Sequence, residues 1–203
     1  MKSIYTFLII SFFTITACGG DEDEAENTKP TNAELSIEPY FKYVGLSLDE
    51  IQRYFSVPLE DNVKNFYARN QWIYNQVFDA IFYFNEDNLC STVKLSRRDE
   101  KTTTFEHFKL FTKEAFLSLG EPEYAAVYKF ISNNNDDTEV LFEAQHKRGT
   151  YEETISFAEK NNISQISHAC EMIWKKSNRK IRYYFSTQLS EVYISFRIFI
   201  TKS

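Results

Sequence analysis

The chain has 203 residues, with 23 Lys and Arg against 29 Asp and Glu, a formal net charge of −6, and a residue content that is 43% hydrophobic and 17% aromatic. This acidic balance, without a dominating basic stripe, argues against nucleic acid as a partner, because phosphate binding rests on clustered cations. From Leu35 to Ser203 there is room for one domain, or for two small repeats sharing a core, and the aromatic content supplies apolar area to bury.

At the N-terminus Lys2 precedes IYTFLIISFFTIT, an apolar run too short and too N-terminal to be a good membrane span. Residues 1–17 therefore read as a secretory signal peptide. The run ends in Ile15-Thr16-Ala17-Cys18, which resembles the bacterial lipobox, where small residues precede a cysteine that is cut to become the new N-terminus. That resemblance implies a diacylglyceryl thioether on the Cys18 sulfur and an acyl chain on its amine, which together give stable anchoring. The expected location is the outer membrane, lipid-anchored. Residues 18–34 (CGGDEDEAENTKPTNAE) read as a solvated acidic tether. The acid run behind Cys18 also resembles the export tag of surface-exposed lipoproteins in some Gram-negative bacteria, so the periplasmic face and the cell surface both stay open.

The first folded unit is expected over 35–105. Ser47 sits where an N-cap belongs and Glu50 stands three residues later, the capping-box arrangement. Leu48, Ile51 and Phe55 then fall on one helical face, and Pro58 stops the helix. Residues 71–84 (QWIYNQVFDAIFYF) are aromatic and β-branched, 85–88 form a polar turn, and 89–95 (LCSTVKL) resume strand character, which predicts a hairpin.

A second unit is expected over 106–203. A shift of 100 residues carries Ile73, Ile81, Tyr83, Leu89 and Arg97 onto Ile173, Ile181, Tyr183, Leu189 and Arg197. Glu50 and Pro58 are answered by Glu114 and Pro122 in FTKEAFLSLGEP, 64 residues on, so the second unit carries an insertion over about 123–168. Within it 133–137 read as a loop, 139–145 as a strand, and Thr150 with Glu153 as a capping box that places Tyr151, Ile155 and Ala158 on one stripe. The fold class is then α+β, with two tandem helix-plus-antiparallel-hairpin repeats forming a sheet with helices packed on one face.

Gly45-Leu46-Ser47, Asp49-Glu50-Ile51 and Tyr54-Phe55-Ser56-Val57-Pro58, with Trp72 and Tyr74 opening the next strand, resemble the pattern G-M-T-x-E-E-V-x-x-x-L-G-x-P followed by W-x-Y. That pattern belongs to the SmpA/OmlA (BamE) group of small outer-membrane lipoproteins and to the related β-lactamase inhibitor protein fold. The second unit keeps Thr112, Glu114, Leu119, Gly120 and Pro122. The departures are Ser56 in place of glycine, no glycine before the second helix, and the insertion. The inhibitor protein's tandem repeats form a sheet that grips another protein, and the resemblance implies that class of function.

In the second hairpin Ile173, Ile181, Tyr183 and Phe185 alternate with Trp174, Lys176, Lys180, Arg182 and Tyr184, so odd positions are expected to face the helices. Carried back by 100 residues, that parity puts Trp72, Tyr74, Phe78, Phe82 and Phe84 on an outer face. Either these aromatics, bordered by Lys176, Lys180 and Arg182, form a protein-binding surface, or the inserted helix covers them. A bulge would flip the parity, since Val93 and Leu95 are odd whereas Val192, Ile194, Phe196 and Ile198 are even.

With Cys18 lipidated, Cys90 and Cys170 remain, and in an envelope compartment they either pair as one disulfide or stay as buried thiols. Catalytic patterns are missing. The five glycines make no phosphate-cradling loop or nucleophile elbow, and His107, His146 and His168 are scattered. His168 and Cys170 with His146 upstream lack the second close pair that a zinc site needs, so neither metal nor cofactor is expected. The leading expectation is a non-enzymatic protein that binds and neutralises another protein, as an inhibitor or an immunity protein against an antibacterial toxin. The alternative is an outer-membrane assembly or scaffolding lipoprotein, and a lipid-anchored hydrolase or metal binder is the third class.

Overall fold

The computed structural model describes residues 36–55, 65–97, 103–131, 138–145, 148–163, 168–187 and 194–203. Cys18, the tether, Pro58, the 133–137 segment, His146, Leu189 and Val192 lie outside them. The protein is α+β. A 3₁₀ turn (Glu38–Tyr43) and α1 (Leu48–Phe55) lead into β1 (Asn65–Ile73), β2 (Gln76–Phe84) and β3 (Cys90–Arg97). Then come α2 (Phe105–Leu119), β4 (Tyr124–Phe130), β5 (Thr138–Gln145), α3 (Thr150–Lys160), β6 (His168–Lys176), β7 (Arg179–Thr187) and β8 (Ile194–Lys202). All eight strands join one antiparallel sheet in the order β1-β2-β3-β8-β7-β6-β4-β5.

The capping box of α1 forms as its sequence requires. The Ser47 N–H donates to Glu50 Oε2 at 2.8 Å, and the Glu50 N–H reaches Ser47 Oγ at 3.4 Å. Residues 71–84 are not one strand. Tyr74 and Asn75 both take positive φ, 50° and 60°, which makes a two-residue turn between β1 and β2. Tyrosine is an unusual occupant of this conformation, and tertiary contacts hold it there. Its ring stacks on Phe111 at 5.5 Å and its hydroxyl bonds that of Tyr183 at 2.7 Å. The first unit is thus a helix followed by three strands.

The strands also correct the 100-residue register. β1 and β6 are both nine residues long and begin at Asn65 and His168, while β2 and β7, also nine each, begin at Gln76 and Arg179. The second turn, Ser177 and Asn178, repeats the positive φ of Tyr74 and Asn75. The starts of β1 and β6, and of β2 and β7, are thus 103 residues apart, an odd number. An odd offset reverses any parity carried from one hairpin to the other.

The core is one hydrophobic cluster that holds separate networks of ring contacts around α1 and α2. From α2, Phe111 touches Phe78 at 5.6 Å and Phe196 at 5.0 Å, and Phe108 touches Phe185 at 5.8 Å. From α1, Phe55 meets Phe66 and Phe82 at 5.6 and 5.5 Å. Trp174 closes the end of α2 by donating its indole N–H to the Gly120 carbonyl at 2.8 Å. In the insertion, β4 is an extra strand that sequence periodicity missed, and α3 packs on β4 and β5 with Phe157 stacked on Phe142 at 4.9 Å. The expected capping box at Thr150 is replaced. Gly149 is the N-cap, and the Glu121 carboxylate accepts from the N–H groups of Gly149 and Tyr151 at 2.8 and 3.1 Å. An acceptor from outside the helix thus satisfies its first donors.

Candidate functional site

Strand register sorts the side chains into two sets. Phe78, Ala80, Phe82, Val93, Leu95, Ile181, Tyr183, Phe185, Phe196, Ile198 and Ile200 are all buried, and the helix ring contacts fall on this set. Phe78, Phe82 and Tyr74 therefore belong to the core, not to an outer face. Trp174 is 1% exposed and pairs across with Ile181, so it also points inward. Lys176 pairs with Arg179 on the same side, where its ammonium meets Glu38 at 2.5 Å. Of the residues expected on a binding face, Trp72, Lys180 and Arg182 do project from the opposite side. Trp72 lies across from Val77 and is half-buried.

On that opposite side the register aligns one residue from every strand: Tyr67, Ile81, Lys94, Phe199, Arg182, Ile173, Tyr124 and Gln145. With strands about 4.8 Å apart, this row runs roughly 34 Å across the sheet. A second row, Ser96, Arg197, Tyr184, Glu171, Ala126 and Glu143, lies beside it.

The two rows are tied by a polar network. Glu171 is 6% exposed, and its carboxylate accepts from Tyr128 Oη at 2.5 Å and from Arg182 Nε. Tyr128 in turn bonds the Tyr124 hydroxyl at 2.9 Å. The Arg182 guanidinium lies over the Tyr184 ring at 4.8 Å and the Phe199 ring at 5.9 Å. Burial and the adjoining Glu171 carboxylate push the Tyr128 hydroxyl far above the usual tyrosine range, so it stays a donor. Burial likewise raises Tyr184. The arrangement holds an arginine and two tyrosine hydroxyls in fixed positions on the outward side of the sheet, which suits directional recognition. At its end, Glu123, Tyr124, Gln145, Glu171, Ile173, Lys175 and Lys180 line a hollow of about 420 Å³.

The inserted helix does not lie over Trp72. Its contacts with the sheet are to β4 and β5 at the other end, on the side of Val127, Phe142 and Ala144, and it also meets α2, where Tyr151 stacks on Phe116 at 4.7 Å. Cys90 and Cys170 are both free and buried. They sit on β3 and β6 with β8 and β7 between, so strand spacing alone separates them by at least about 14 Å, too far for a disulfide. Burial pushes the Cys90 thiol up to about 11 and Cys170 higher still. Among the described residues no three His, Cys, Asp or Glu side chains gather where they would hold a metal ion.

Sequence reasoning missed Tyr124, Tyr128, Glu171, Phe199 and Arg197. The signal for Arg197 and Phe199 was present, since even-numbered apolar positions around Phe196 and Ile198 leave the odd ones outward. Comparison with family models, with curated proteins and with solved structures gives no match.

Proposed function

We propose that this chain is a lipid-anchored, non-enzymatic envelope protein that binds and neutralises another protein through the outward sheet face, as an inhibitor or an immunity protein against an antibacterial toxin. We read it as two copies of a helix-plus-three-strand unit that share one sheet, with the helices over one side and the other side free for a partner. The equal lengths of β1 and β6 and of β2 and β7, with the matching two-residue turns, support the duplication. The lipobox-like Ile15-Thr16-Ala17-Cys18 supports anchoring at the outer membrane.

The observation that carries the reading is the eight-strand row with its pinned Arg182. Nine-residue strands at about 3.3 Å per residue and a row of roughly 34 Å offer ample room for the ~800 Å² that each partner contributes to an ordinary protein interface. Arginine and tyrosine are the side chains that concentrate binding energy at such surfaces.

The test is site-specific photo-crosslinking in intact cells, with a crosslinker at Phe199 on the outward face and, as control, at Leu117, which is 67% exposed on α2. A discrete protein adduct from position 199 and not from 117, identified as a toxin or enzyme, supports the proposal. No adduct from 199, or the same set from both positions, removes it. An adduct with an outer-membrane assembly component would install the scaffolding reading in its place.

A further inference from the structure

We infer that the partner presents an acidic surface, whose carboxylates lie over the central strands β7, β8 and β3. The inference rests on the reading that this face binds protein. The outward positions of those three strands carry Lys180, Arg182, Arg197 and Lys94 and no carboxylate. This stripe stands in a chain whose formal net charge is −6, so the cations are concentrated against the overall balance. Outward carboxylates lie outside these strands, Asp79 on β2 and Glu171 on β6 next to them and Glu143 on the edge strand β5.

The cations divide into two kinds. Arg182 is held by Glu171 and by two rings, so it is a positioned element of the surface. Among the described residues Lys180 and Arg197 have no ion-pair partner. Opposite charge from a partner answers them, and like charge is repelled, which is how such surfaces select and orient what they bind. The hollow beside Tyr124 and Ile173 opens next to Lys180 and accepts an apolar side chain from the same partner. Nucleic acid fits less well, because carboxylates on β2, β6 and β5 flank the stripe and would repel a continuous phosphate backbone.

The experiment uses the folded protein, labelled with ¹⁵N, and three probes: a soluble peptide alternating Glu and Phe, its counterpart with Lys for Glu, and oligothymidylate. The expected result is saturable binding of the Glu peptide that shifts the amides of β7, β8 and β3 and weakens with added salt. Lys180→Glu with Arg197→Glu should weaken it about tenfold or more. Lys113→Glu, on the exposed side of α2, should leave it unchanged. If the doubly reversed protein fails to fold, Lys180→Gln with Arg197→Gln is read instead, with at least about a threefold loss expected. Equal binding of the Lys peptide, tighter binding of oligothymidylate, or indifference to the substitutions overturns the acidic partner. Retention of the Phe199 crosslink adduct in the charge-altered proteins would then show that protein binding survives and its charge preference does not. Absence of that adduct from the unaltered protein defeats the face itself.

Discussion

The Glu171–Arg182 pair gives the sharpest energetic test of a preorganised face. The Glu171 side chain is 8% exposed and that of Arg182 41%, so the pair lies between two well-separated regimes. Removing one partner of a fully buried pair costs about 3–5 kcal/mol, whereas an exposed pair contributes about 0–1 kcal/mol. Tyr128 still donates to the other carboxylate oxygen when Arg182 is gone, which softens the loss. We expect Arg182→Met to destabilise by about 2 kcal/mol, and Glu171→Gln by about 1–1.5 kcal/mol because the amide keeps an acceptor for Tyr128. In the double substitution the unpaired charge is absent from both ends, so the coupling energy should be about 1–1.5 kcal/mol. Urea unfolding of the four proteins measures it, provided the slopes agree. For Arg182→Met the midpoint temperature should fall by roughly 4–8 °C. A coupling below about 0.5 kcal/mol would mean that the pair behaves as an ordinary surface contact and that Arg182 is not held in place.

Phe82 is fully buried against Tyr43, Phe55 and Phe66, so Phe82→Ala should cost about 3–5 kcal/mol, whereas half-buried Trp72→Ala should cost less than half of that in the same urea series. Glu121→Gln removes the charged acceptor at the start of α3 and should cost about 1 kcal/mol, read also as faster hydrogen exchange in the first turn of that helix. Cys90 and Cys170 should resist iodoacetamide at pH 8 in the native protein and both react in urea; a disulfide would leave neither reactive. Because burial raises the Cys90 thiol from 9.0 to about 11, the folded chain holds that proton longer than the unfolded one. Its contribution to stability is therefore complete below about pH 9 and is lost as the pH rises through about 11, which unfolding midpoints across that range will show.

Much of the scaffold was legible because local chemistry and tertiary structure agree. Ser47 and Glu50 make their capping box, β3 and β5 stand where their apolar runs are, and Tyr151 and Ala158 of α3 are buried as their spacing demands. The departures have long-range causes. β4 was hidden because YAAVYKF is buried at Ala125, Ala126 and Val127 and shows no alternation. The cap of α3 was misplaced because its acceptor, Glu121, lies 28 residues before Gly149, beyond the reach of any motif. No local pattern announces such a partner.

The outward face was half legible for a reason that two residues carry. Lys176 and Lys180 are both even, both basic and only a turn apart, yet one bonds Glu38 on the side of Trp174 and the other stands on the opposite side of the sheet. Ser177 and Asn178 lie between them, and in a hairpin closed by two residues each cross-strand pair joins an even position to an odd one, as Trp174 and Ile181 do. Parity therefore holds within a strand and inverts across the turn. The same inversion at Tyr74 and Asn75 separates Trp72, which is outward, from Phe78 and Phe82, which are inward. Neither turn contains glycine, the usual sign of such a loop, and the shared mark is an asparagine at the second central position. Asn75 and Asn178 were the points at which the alternation had to be restarted. Restarting it there recovers the inward Phe78 and Phe82 together with the outward Lys180, Arg182 and Tyr184.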